Sequence, residues 1–138
     1  MDGAADLERE GERMTISVGV DLIEIARIGG ALSRAANRFR DRVFSASEIS
    51  YCEARGSRTA SYAARFAAKE AVMKALGMGW FDGIAWREIE VVSGTNGAPS
   101  IRLSGRALER FNSLGAARSH LSLSHSRDLA IAEVIFES

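Results

Sequence analysis

Lys69, Glu70 and Lys74 lie in the run Arg65-Phe66-Ala67-Ala68-Lys69-Glu70-Ala71-Val72-Met73-Lys74-Ala75-Leu76-Gly77, which holds the only two lysines of a chain with sixteen arginines. Lysine presents a compact, mobile point charge and arginine a rigid planar fork. Keeping lysine twice beside one glutamate points to chemistry on something small and charged, such as a phosphate or a metal-bound phosphate. Glu70 and Lys74 are also spaced as an ordinary helix-surface ion pair, which contributes only a few tenths of a kcal/mol. Lys69 has no such explanation. At about 100° per residue, Tyr62, Phe66, Lys69, Met73 and Leu76 fall within a stripe roughly 80° wide. A lysine in the middle of that apolar face must snorkel to an edge or meet an anion. The alanines at 67, 68, 71 and 75 let another backbone or a ligand come close.

Asp21 follows the apolar alternation of Ile16, Val18 and Val20. It can cap the next helix; with Glu70 it can also form a hard-oxygen Mg²⁺ site that phosphate and water complete. His125, in Ser124-His125-Ser126, can donate to a phosphate or move a proton, or simply occupy the surface beside a turn. A Ser-His hydrolase is the rival reading, but chain neighbours rarely reach nucleophile–base geometry and no nucleophile elbow is present. The turn Asn96-Gly97-Ala98-Pro99 offers backbone amides to a nucleotide.

These residues need elements to hold them. Ile16, Val18 and Val20 alternate with Thr15, Ser17 and Gly19, which predicts a strand ending at Asp21. Leu22, Ile25, Ile28 and Leu32 recur at helical spacing. Ser45-Ala46-Ser47-Glu48 is a capping-box pattern opening a short helix that stops near Gly56. A long helix is expected from about Thr59 to Leu76, closed by Gly77. Ile89 and Val91, the Asn96-Gly97 turn, then Ile101 and Leu103 predict a hairpin. Ser104 is placed to cap a helix through Phe111 that ends at Gly115, and two strands follow near 121–124 and 130–136. The pattern is α+β, a long helix packed on a small antiparallel sheet.

With 138 residues, 46% apolar and 26% charged, the composition is that of one soluble domain with some apolar surface left over. Cys52 stands alone, which excludes an internal disulfide framework or a multi-cysteine zinc site. No apolar run is long enough for a membrane span, and no secretory signal is visible, so the expected compartment is the cytoplasm. Residues 1–13 carry a net charge of −3, lack periodicity and read as a disordered extension; Met14 is a plausible alternative start, and the domain is expected over 14–138. Between residues 27 and 42, Arg27, Arg34, Arg38, Arg40 and Arg42 oppose only Asp41. That patch suits an acidic partner or is a solvated helix face. A nucleic-acid role lacks interleaved aromatics and a motif.

Taken together, the blocks Val18-Gly19-Val20-Asp21-Leu22 with Arg27, Arg65 through Gly77, Trp86 with Glu88-Ile89-Glu90-Val91, Gly97-Ala98-Pro99, and Leu121 through Ser126 with Ala130 and Ala132 resemble the holo-[acyl-carrier-protein] synthase family, the small 4′-phosphopantetheinyl transferases. The resemblance spans about Ile16 to Glu137. It implies transfer of 4′-phosphopantetheine from coenzyme A to a serine of an acidic apo-acyl carrier protein. Asp21 and Glu70 would hold Mg²⁺, and Lys74 would contact the pyrophosphate. Arg65 and Lys69 would support phosphate binding or the ion network of the site. His125 would lie near the nucleotide phosphates and the Gly97–Pro99 turn against the adenine. Arg27, with Arg34 and Arg38 beyond it, would dock the carrier. The resemblance further implies a homotrimer with sites between subunits, and neither a nucleic-acid nor a membrane partner.

Overall fold

The computed structural model describes residues 12–138, so the extension expected over residues 1–13 lies, up to residue 11, outside the described residues. Among the described residues there are five strands, paired in two antiparallel sheets, and five α-helices. In chain order they are β1 (Thr15–Glu24), α1 (Ile25–Ser33), α2 (Arg38–Val43), α3 (Ala46–Glu53), α4 (Arg58–Leu76), β2 (Ile89–Ser93), β3 (Pro99–Leu103), α5 (Gly105–Ser113), β4 (Arg118–His125) and β5 (Leu129–Glu137). The first sheet has the order β1-β5-β4 and the second is the β2-β3 hairpin.

The long helix α4 lies across the first sheet, and small residues bring the two together. An added Cβ at Gly19 would stand 1.8 Å from the Ala71 carbonyl oxygen, so β1 and α4 meet backbone to backbone. On β5 the residues turned to the helix are Ala130, Ala132, Val134 and Phe136, all buried. Alanines 67, 68, 71 and 75 of α4 are buried as well. The close approach that they permit is made by the sheet.

Several boundaries differ from those read in the sequence. β1 runs through Asp21 to Glu24 because Asp21 and Leu22 pair with Ala132 and Ile131, so Leu22 belongs to the strand and the helix starts at Ile25. The apolar alternation of β1 faces away from α4: Val18, Val20 and Leu22 are 53%, 48% and 59% exposed, while Gly19 is buried under the helix. Ser104 makes no side-chain cap for α5. Glu88 does that work, accepting from the Ala107 amide at 2.9 Å while its other oxygen accepts from the Ala85 amide. The expected capping box of α3 is present, with the Ser45 amide donating to Glu48 Oε1 and the Glu48 amide to Ser45 Oγ. Gly77 ends α4 in the left-handed region at φ 67°.

Candidate active site

Four of the residues singled out in the sequence stand on α4, and the helix sends them in three directions. Glu70 and Lys74 leave one flank toward β1. Arg65 leaves the opposite flank together with Ser61 and Ala64, roughly 200° round the helix at 100° per residue. Lys69 points into the core.

On the β1 flank, Lys74 Nζ donates to Asp21 Oδ1 at 3.1 Å and to the Val20 carbonyl at 3.0 Å. The Lys74 side chain remains more than half exposed, while that of Asp21 is largely covered. The Glu70 carboxyl is pushed above its ordinary value, first by burial and then by the charge of Asp21, with Lys74 and Arg27 pulling it back. Two partly desolvated carboxylates therefore lie near one ammonium, which is bonded to Asp21 and acts on Glu70 only through its charge. A hard divalent cation suits that donor set, because it would remove the repulsion and still leave positions for phosphate or water oxygens. Among the described residues no cluster of three or more His, Cys, Asp or Glu side chains forms a metal cage, so a ligand would have to supply the remaining oxygens. Glu70 and Lys74 open into a cleft of about 360 Å³ that continues past Met73 and Met78 to Trp80 and Phe81.

Across the helix, Arg65, Gly97, Pro99 and His125 line a second cleft of about 220 Å³ with Tyr51, Arg55, Ser61 and Ser93. Arg65 is 4% exposed. Its guanidinium lies 3.8 Å over the Tyr51 ring, and Nη2 donates to Ser93 Oγ at 3.2 Å. Its Nε is buried with no hydrogen-bond partner among the described residues, a donor that an anion would satisfy. Arg55 lies 4.8 Å from the same ring. His125 is exposed at the end of β4, and Gly97 holds the hairpin turn at φ 81°.

Lys69 departs from the expected phosphate role. It is 0% exposed, and Nζ donates to Glu48 Oε1 at 2.9 Å, to the Trp86 carbonyl at 3.2 Å and to the Ile89 carbonyl. All three donors of the ammonium are used, and none is left for a phosphate. Burial pulls the ammonium below its ordinary value and Glu48 pulls it back. The anion demanded by the apolar stripe is Glu48, whose second oxygen accepts from the Val91 amide. The sequence shows Glu48 only as a cap, and nothing in the spacing links it to Lys69. Tyr51, on α3, and Arg55, just beyond its end, also line the second cleft, and nothing in the sequence sets them apart. Arg27, Arg34 and Arg38 are exposed at α1 and the start of α2, and Arg27 lies near enough to act on Glu70.

The two clefts share no lining residue. Asp21 and Leu123 both pair with Ala132 of the central strand, which puts Asp21 and His125 on the two outer strands of one sheet face. Within one chain, α4 separates them.

Two carboxylates suited to a divalent cation, an ammonium beside them and a guanidinium Nε without a partner across the helix give this small α+β fold a donor set suited to anions such as phosphate. The chain belongs to the 4′-phosphopantetheinyl transferase superfamily, whose family model matches residues 17–133. Holo-[acyl-carrier-protein] synthase of Trichlorobacter lovleyi is 46% identical over 125 residues, 91% of this chain and 99% of the relative. That of Koribacter versatilis is 40% identical over 124 residues, with 90% and 99% covered. Among solved structures, Helicobacter pylori holo-[acyl-carrier-protein] synthase in complex with coenzyme A superposes with a TM-score of 0.76 at 33% identity, covering 86% of this chain and 98% of that one.

Proposed function

We propose that this chain transfers 4′-phosphopantetheine from coenzyme A to a serine of apo-acyl carrier protein, giving the holo carrier and adenosine 3′,5′-bisphosphate. The observation that carries this reading is the half-buried Glu70 and the Asp21–Lys74 ion pair brought together at the mouth of an open cleft. The serine oxygen attacks the β-phosphorus, the bond from that phosphorus to the bisphosphate oxygen breaks, and the serine proton passes to Glu70 or to a water at the site. Little covalent work falls to the protein in such a transfer; positioning and charge neutralisation set the rate. Mg²⁺ held by Asp21 and Glu70 would supply Lewis acidity to the pyrophosphate. Lys74, anchored at Asp21 but exposed, is placed to meet pyrophosphate oxygens with a mobile charge. Arg65 and His125 hold the nucleotide phosphates in the second cleft, where the Gly97–Pro99 turn borders the adenine.

Because α4 stands between the two clefts, we assign them to one site built from two copies, the Asp21–Glu70–Lys74 half of one facing the Arg65–His125 half of the next. A homotrimer closes that arrangement, and the exposed face of Val18, Val20 and Leu22 gives it an apolar surface to bury. The acidic carrier docks on Arg27, Arg34 and Arg38, which brings its serine to the Glu70 side. A cytoplasmic setting belongs to the same proposal. No helix among the described residues is long and apolar enough to cross a membrane. Incubation with coenzyme A, Mg²⁺ and apo carrier tests the reading by mass spectrometry. It predicts a carrier heavier by one phosphopantetheine and one adenosine 3′,5′-bisphosphate released per carrier; no mass gain with any divalent metal would overturn it.

A further inference from the structure

Trp80 and Phe81 are 49% and 85% exposed, yet their rings stack with centroids 3.8 Å apart. Their turn is held rather than loose. The Gly79 amide donates to Asp82 Oδ2 at 2.9 Å, the Gly83 amide to the Trp80 carbonyl, and Ile84 is buried just beyond. Two aromatic side chains fixed in water at a cleft mouth are left with apolar area to cover. The cleft they border is the one that Glu70 and Lys74 enter, so it is charged at one end and aromatic at the other.

We infer that Trp80 and Phe81 seat the pantetheine arm of the donor, with Met73 and Met78 beneath it. This rests on the transferase reading above and goes beyond it by naming the residues that recognise the transferred group. The match is one of polarity along the cleft. Coenzyme A carries its anionic pyrophosphate next to a gem-dimethyl carbon, and its arm ends in a thiol. With the pyrophosphate at Glu70 and Lys74, the apolar carbon falls toward the methionines, and the sulfur reaches the aromatic pair, which favours sulfur at ring edges. The pair takes no part in bond breaking. It selects donors that carry the arm, gripping the arm equally before and during transfer.

The test is the double variant Trp80→Ala/Phe81→Ser in the full chain, with coenzyme A and adenosine 3′,5′-bisphosphate as probes. Loss of the apolar seat should weaken coenzyme A by about tenfold and leave kcat within about twofold, the pattern of lost uniform binding. Affinity for the bisphosphate, which has no arm, stays unchanged, as do the carrier KM and the oligomeric state. In a Trp86→Phe background, Trp80 fluorescence should respond to coenzyme A and not to the bisphosphate. Equal coenzyme A affinity in variant and parent overturns the inference. So does a loss that appears in the carrier KM or in assembly, which would give the pair to the carrier or to a second copy. A parent protein that neither binds coenzyme A nor modifies the carrier overturns this inference and the transferase reading together.

Discussion

Glu70 is held in a partly desolvated position beside another carboxylate, which favours its protonated form. Because its folded pKa is raised above the ordinary 4.5, the stability it contributes is full below the unfolded value and is lost as pH rises through the folded value. At neutral pH the ionised carboxylate works against the metal-free fold. Glu70→Gln should therefore abolish transfer while the Tm without metal stays equal or rises; a variant with near-normal turnover would remove Glu70 from the site. Mg²⁺ should raise the Tm of the parent and not of the variant, and the effect should fade on acidification as protons compete for Glu70. The neighbouring lysine carries the opposite expectation. Glu48→Gln or Lys69→Met leaves one buried charge alone and should cost about 3–5 kcal/mol of stability, read as a shift in urea midpoint. Replacing both by apolar residues should recover much of that loss. Comparable losses for the single and double variants would show that the ion pair is not the cause.

Among the elements, β1 and α4 decide whether Asp21 and Glu70 meet. Gly19 lets the two backbones touch at Ala71, and no side chain fits between them. Gly19→Ala must push the helix from the strand, with a stability loss of about 1–3 kcal/mol or more and a larger loss of Mg²⁺ affinity than of nucleotide affinity, measurable by calorimetry. Equal losses for both ligands would show that the contact serves stability alone. The elements themselves were largely legible, because local chemistry announces them: the Ser45–Glu48 box, the Asn96-Gly97 turn and the Gly77 stop each act within a few residues. What the sequence hid is long-range. The partner of Lys69 lies 21 residues away, and Glu88 caps a helix 19 residues downstream. Arg65 reaches Ser93 across the hairpin. Periodicity shows which residues are apolar but not which sheet face the helix covers, and Gly19 explains why the outward face of β1 holds the larger apolar side chains.

At the scale of the whole molecule, charge and symmetry make the remaining predictions. If the carrier docks on Arg27, Arg34 and Arg38, its KM should rise with salt as the Debye length shrinks, while the affinity of a neutral arm analogue stays flat; a salt-independent carrier KM would move the docking surface elsewhere. The separation of the two clefts by α4 makes the sharper demand, that neither copy alone holds a complete site. The most direct measurement mixes Glu70→Gln protein with Arg65→Ala/His125→Ala protein, dissociates and reassembles them together, and follows phosphopantetheine transfer to apo carrier. Each parent should be silent. Random reassembly should restore activity to about a quarter of the unmodified level, since a site needs one intact half from each of two copies. A mixture that forms mixed oligomers and stays as silent as its parents would contradict the two-copy site.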